Sequence, residues 1–121
     1  MSHEIKDILV ELKGVSGVVG CAVLTNDGIM VASELGKGVL DDVVAGLSSF
    51  LISTTRRSLK EAGMGGFNQF VLNSTHGRVV LIDIGDAVLV VMTNQFANMN
   101  GCLDTIQKAA VSLRKVARIE F

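Results

Sequence analysis

The chain contains no tryptophan and no tyrosine, and its aromatic content is 4%. A platform for stacking single-stranded bases is therefore excluded, because such a platform needs aromatic faces. Charge of one sign is lacking as well. Lys and Arg number 11 against 12 Asp and Glu, the formal net charge is −1, and the signs are mixed along the chain. That balance argues against nucleic acid or another polyanion as a partner. There is no signal peptide, no transit peptide and no run of apolar residues long enough to span a bilayer. The expectation is a soluble cytoplasmic protein that leaves membranes alone. Only two cysteines occur, Cys21 and Cys102, far apart and outside any CxxC pattern. They are expected as buried thiols in a reducing compartment, not as a disulfide or a metal site.

Motifs for chemistry are absent too. No GxxxxGK[ST], no GxGxxG after a strand and no HExxH occurs. Gly63, Gly65 and Gly66 lack the following lysine and helix that a phosphate loop needs, and read as a helix-to-strand turn. His3 and His76 have no second ligand at metal spacing, and His76 reads as a turn residue. Asp83 interrupts an apolar strand and is expected to bond a neighbouring turn or helix end. Cys21, His76 and Asp83 can be drawn as a triad, but nothing in the sequence brings them together. The expectation is a protein that is not an enzyme and carries no cofactor and no metal.

What the chain does have is length and apolar residues. Its 121 residues predict a single domain over 1–121 with a real core. An apolar content of 49% is high and points to surface buried against a partner. The organising stretch runs from Phe67 to Thr93, where three apolar runs are separated only by Ser74-Thr75-His76-Gly77 and Gly85-Asp86. Runs so short and rich in Val, Ile and Leu predict strands at about 67–74, 78–85 and 86–93. Connections so short allow only antiparallel pairing. The last two runs are apolar at consecutive positions, so both faces of the sheet must be covered.

Helices are predicted for both. Ile5, Ile8, Leu9 and Leu12 make one face of a helix over 2–13, which Ser2 can cap and Gly14 can stop. Asp27-Gly28 between two apolar runs predicts a hairpin with strands at 18–25 and 29–33, followed by a loop over 34–38. A last helix is predicted over 101–118, with Leu103, Ile106, Ala110, Leu113 and Ala117 on one face and Lys108, Arg114, Lys115 and Arg118 mostly outward. A central helix is predicted over 39–62. Leu40, Val43, Val44, Leu47, Leu51 and Thr54 fall on one side, flanked by Ile52 and Leu59 on one hand and Val39 and Phe50 on the other. That arc spans roughly 220°, where a helix on one core needs little more than about 100°. Two readings are open: a helix buried deep in its own domain, or one whose second flank meets another subunit. The fold class is α/β (α+β), a five-stranded antiparallel sheet with helices on both faces, in the order α-β-β-α-β-β-β-α.

The segment GVSGVVGCAVLTNDGIMVAS, Gly14 to Ser33, resembles the first hairpin of the Roadblock/dynein light chain domain family. Val15, Gly17, Val18, Gly20, Val23, Asp27, Gly28, Ala32 and Ser33 match its pattern, whereas Ser16 stands where many members carry proline. The meander, Met92-Thr93, the Asn-rich loop and a final helix with Gly101 and Leu103 continue the likeness over nearly the whole chain. The resemblance implies a Roadblock/longin-like (profilin-like) fold and a non-enzymatic adaptor. It also implies a homo- or heterodimer, with central helices packed across a two-fold axis and third strands paired edge to edge. Carried onto this chain, the dimer contacts become Val43, Leu47, Phe50, Leu51 and Thr54 of the helix with Phe67, Gln69 and Val71 of the strand. The prokaryotic branch it resembles is associated with Ras-like small GTPases, which makes such a GTPase the expected partner. Ser49, Ser53, Arg56 and Arg57, along the flank left open, are the candidate contacts, although an arginine pair is also a common solvated face. The competing reading is a ligand-sensing PAS or profilin-like domain with a pocket between sheet and helices, for which Asp83, Asn73 and Gln69 offer polar groups.

Overall fold

Strands that are apolar at consecutive positions put side chains on both faces of a sheet, and both faces carry helices here. The computed structural model describes the backbone from Ser2 to Glu120 and the side chains from Glu4 to Val116. The elements run α1 (Ser2–Lys13), β1 (Val18–Thr25), β2 (Met30–Leu35), α2 (Asp41–Glu61), β3 (Gln69–Ser74), β4 (Gly77–Asp83), β5 (Ala87–Asn94) and α3 (Met99–Glu120). This is the order read from the sequence. The cap expected from Ser2, the side chain of His3 and the faces expected for Ala117 and Arg118 lie outside the described residues.

The sheet is antiparallel with strand order β2-β1-β5-β4-β3. The meander β3-β4-β5 joins the first hairpin through β1, whose Cys21 lies opposite Val91 and whose Val23 lies opposite Leu89. Alternation along each strand then sorts the side chains into two cores. Cys21, Val23, Val80, Ile82, Leu89 and Val91 pack against Ile5, Leu9 and Leu12 of α1 and Cys102, Ile106, Ala110 and Leu113 of α3. Ala22, Leu24, Leu81, Val88 and Val90 pack against Ile52 of α2 and against Phe67. Burying each large side chain of this kind contributes about 1.5–3 kcal/mol.

Boundaries moved where hydrogen bonds overrode composition. β2 runs on to Leu35 because Glu34 and Leu35 still pair with Cys21 and Gly20, and the glycine-rich loop begins only at Gly36. β4 begins at Gly77, which pairs with Ser74 on one side and Asn94 on the other. α2 begins at Asp41 with Leu40 as an extended N-cap residue that makes no side-chain cap bond. It ends as glycines there predicted. Gly63 takes φ +73°, its N–H donates to Lys60 O, and the Met64 N–H donates to Leu59 O. That pair of bonds closes the last turn and satisfies two terminal carbonyls.

Candidate interaction surface

α2 is held on its sheet from one side. Its inward residues are Val44, Ser48 and Ile52, with Ala45, Leu51 and Leu59 partly buried at the margins. Ser49 rests against Gly28 in the turn between β1 and β2. Gly28 has φ +88°, and a Cβ there would fall 2.6 Å from the Ser49 Cβ, so only glycine allows both the turn and the approach. About two helical turns further on, Arg56 Nη2 donates to Asn26 Oδ1 at 3.0 Å in the same turn, and its guanidinium lies 5.3 Å from the centre of the Phe67 ring. These contacts place α2 toward the β1–β2 side of the sheet.

The opposite flank is left open. The 3.6-residue period carries Val43, Leu47 and Phe50 away from the Ser49–Arg56 side, and they are 62%, 46% and 66% exposed. Leu40 and Val39 extend this exposed apolar row toward the helix start. Beside it lie the residues of β3, β4 and β5 that share the α2 face. Phe70, Val79 and Met92 are only half-buried, and Leu72 is 37% exposed. An apolar helix flank and an apolar half-sheet thus face one uncovered hollow. The outer edge of β3 bounds it, with Gln69, Val71, Leu72, Asn73 and Ser74 all exposed.

The candidate residues divide accordingly. Val43, Leu47 and Phe50 are exposed on the open flank, Leu51 and Thr54 are half-buried beneath it, and Gln69 and Val71 are exposed on the edge strand. Phe67 stands apart from that group: it is buried in the chain's own α2-side core under Arg56. Of the four polar candidates, Ser53 and Arg57 are exposed, whereas Ser49 and Arg56 are half-buried and engaged with the β1–β2 turn. Sequence reasoning missed Leu72, Phe70 and Val79. Period-2 alternation in β3 could have found the first two, since Phe70 and Leu72 lie opposite Leu81 and Val79 on the α2 face.

The reactive side chains are dispersed. Cys21 and Cys102 are both buried free thiols, as expected. Cys21 Sγ donates to Leu9 O at 3.3 Å, and burial, with a smaller push from the Glu34 carboxylate, raises its pKa to about 12. A thiol so held is a poor nucleophile. His76 is an exposed residue of the β3–β4 turn. Asp83 Oδ1 accepts the Gly85 N–H at 2.8 Å, the turn-bonding role expected for it. Among the described residues no three of His, Cys, Asp and Glu gather to hold a metal ion. A hollow of about 240 Å³ lies between α1 and α3, lined by Ile8, Leu12, Val15, Lys108 and Ala109 among others, so it is framed by two helices. No helix among the described residues is long and apolar enough to cross a membrane.

Comparison with known proteins gives this architecture a family. The Roadblock/LC7 domain model matches residues 4–93. The uncharacterised proteins MJ1340 and MJ0310 of Methanocaldococcus jannaschii are each 30% identical over 107 residues, covering 88% of this chain and 94% of theirs. Among solved structures, Myxococcus xanthus MglB superposes with a TM-score of 0.90 at 16% identity, over 97% of this chain and 90% of that one. A Roadblock/LC7 domain from Streptomyces avermitilis superposes with a TM-score of 0.77 at 17% identity, over 98% of both chains. The chain belongs to the Roadblock/LC7 domain family, and its sheet and three helices are the fold of these neighbours.

Proposed function

We propose that this protein is a homodimeric adaptor of the cytoplasm that binds a Ras-like small GTPase and regulates or scaffolds it, with no catalysis of its own. The observation that carries the reading is the apolar row Val43, Leu47 and Phe50, exposed beside a half-sheet that the described helices leave partly uncovered. A two-fold axis beside the β3 edge fills that hollow with the partner's α2, and it brings the same patch of each copy together. Burial of apolar area at about 25 cal/mol per Å² supplies the driving force. Oligomeric assembly is also in keeping with a structural neighbour described as MglB with tetrameric arrangement. The GTPase rests on the family likeness. Its contact falls on the outer side of the paired helices, where Ser53 and Arg57 are exposed. Ser49 and Arg56 act from below by fixing the pitch of the helix that presents them.

The test has two parts. Light scattering at micromolar concentration should report twice the chain mass. Calorimetric titration with the small GTPase encoded or expressed beside it, loaded separately with GDP and with a GTP analogue, should show binding that differs between the two states. An adaptor shifts an equilibrium only through differential affinity. Arg57→Glu should abolish GTPase binding and leave the dimer intact. Equal affinity for both nucleotide states would leave a scaffold and remove the regulator.

A further inference from the structure

The face of the sheet opposite α2 carries a strip that the adaptor reading does not use. Along β3, alternation turns Gln69, Val71 and Asn73 to this face, opposite Ile82, Val80 and Arg78 of β4. α3 runs beside them. Gln107 Nε2 donates to Gln69 Oε1, and Arg114 Nη2 donates to the Asp83 carbonyl at 2.9 Å, so the row Gln107, Val111 and Arg114 looks toward the β3 edge. Val71 and Val111 are 37% and 47% exposed. At the other end Arg78 Nε donates to Asn73 Oδ1 at 2.8 Å. There a small hollow of about 90 Å³ opens, lined by Asn73, Ser74, Gly77, Arg78 and Gln95.

The chemistry of this strip is one-sided. Its centre is two exposed valines, its polar groups are the amides of Gln69, Asn73 and Gln107, and its charges are the guanidinium groups of Arg78 and Arg114. The one carboxylate on the same stripe of α3 among the described residues, Asp104, is held by Lys108 at 3.2 Å, and neither arginine is paired with a carboxylate there. If β3 pairs with its copy, the strip meets its own two-fold image. The result is a trough with Val71 on the floor, Val111 on an α3 wall at each side and arginines toward both ends.

We infer that this trough, on the side of the dimer away from the paired α2 helices, binds an acidic segment with apolar side chains from a partner protein. The inference rests on the dimer of the proposed function but not on its GTPase. The valines bury the apolar side chains and the arginines take the carboxylates, frequently as bidentate pairs. The amides satisfy the peptide backbone, which a segment lying on a sheet face cannot bond to the ladder itself. The positive ends steer association, so binding weakens as salt rises.

Fluorescence anisotropy tests it, with a short fluorescein-labelled peptide of leucine, glutamate and serine. A version with lysine for glutamate and a labelled single-stranded oligonucleotide serve as controls. The acidic peptide should bind the wild-type dimer, and the lysine peptide and the oligonucleotide should not. Val111→Glu alone, and Val111→Glu with Arg78→Ala, should weaken peptide binding by about tenfold or more. Light scattering and circular dichroism of both variants should match wild type. A dimer that binds no acidic peptide, binds all three probes alike, or is indifferent to both variants overturns the trough and leaves the adaptor standing. A wild-type protein that is monomeric overturns both.

Discussion

The two edges of the sheet are treated differently. At β2, α1 reaches over the edge: Lys6 Nζ donates to the Ser33 carbonyl and pairs with Glu34 Oε2 at 3.2 Å. On the other face, Ser33 Oγ donates to Asp41 Oδ1 at the first residue of α2. A lysine laid against an edge is a standard obstacle to a foreign strand. At β3 the outermost residues are exposed, Val71 and Leu72 among them, and the open flank of α2 looks the same way. One side of the domain is finished within the chain, and the other has the apolar surface and free strand edge that a second copy needs. The lesson lies in where α2 sits. The contacts of Ser49 and Arg56 with the β1–β2 turn close one side and by the same shift uncover the other.

The sharpest way to break this contrast is to place a carboxylate on each side of α2. Ile52→Asp buries an unpaired charge in the closed side and should unfold the domain, at a cost above about 4 kcal/mol. Leu47→Asp, three residues round the open flank from Phe50, should leave circular dichroism unchanged and raise the dissociation constant of the proposed dimer by about 100-fold or more. A Leu47→Asp protein that unfolds would show that the open flank belongs to the chain's own core.

The edges themselves give a smaller effect. Leu72→Lys puts a cation on the β3 edge in both copies of the proposed dimer and should weaken dimerisation by about tenfold. Lys6→Ala at the β2 edge removes a half-exposed ion pair worth no more than about 1 kcal/mol and should leave the dimer unchanged. Analytical ultracentrifugation over a dilution series separates the two. Equal loss of dimer from both variants would erase the distinction between the edges.

The third concerns the closed side, where Cys21 sits opposite Glu34 of β2. Burial holds its pKa near 12 in the native protein, against an ordinary value of 9.0. The native state therefore keeps a proton that the unfolded chain gives up first. Stability from this source is intact below pH 9 and falls as pH rises from 9 toward 12, by up to about 1.4 kcal/mol per unit. Denaturant titrations at a series of pH values should show this slope in wild type and a shallower one in Cys21→Ala. Parallel slopes would mean that the thiol is not sealed in the closed half.

Much of this contrast is legible in the sequence, but not its key. Consecutive apolar residues such as Val79 to Ile82 require two covered faces, and Asp27-Gly28 and Gly85 mark the turns that order the strands. The breadth of the arc from Val39 to Leu59 announces a helix with more apolar surface than one core absorbs. What a helical wheel cannot state is where the helix axis lies above the sheet. That depends on a glycine with no Cβ at position 28 and on an arginine reaching Asn26, contacts between residues far apart in the chain. For the same reason Phe67 reads as an edge-strand contact in sequence, yet it is folded under Arg56. Ser49 and Arg56 read as free polar groups, yet they are fastenings.

Those fastenings continue beyond α2. Asn26, which accepts from Arg56, also donates through Nδ2 to the Gly85 carbonyl at 3.3 Å; Gly85 donates to the Asp83 carboxylate, and the Asp83 carbonyl accepts from Arg114 of α3. The links pass round one end of the sheet, from the layer on one face to the layer on the other. The two layers are therefore stitched like the pages of a book at that end, and stitched again where Ser33 holds Asp41 of α2 and, through its carbonyl, Lys6 of α1. A load on the outer face of α2 therefore meets a cover bound near both of its ends, at Asp41 and at Arg56, not a loose flap.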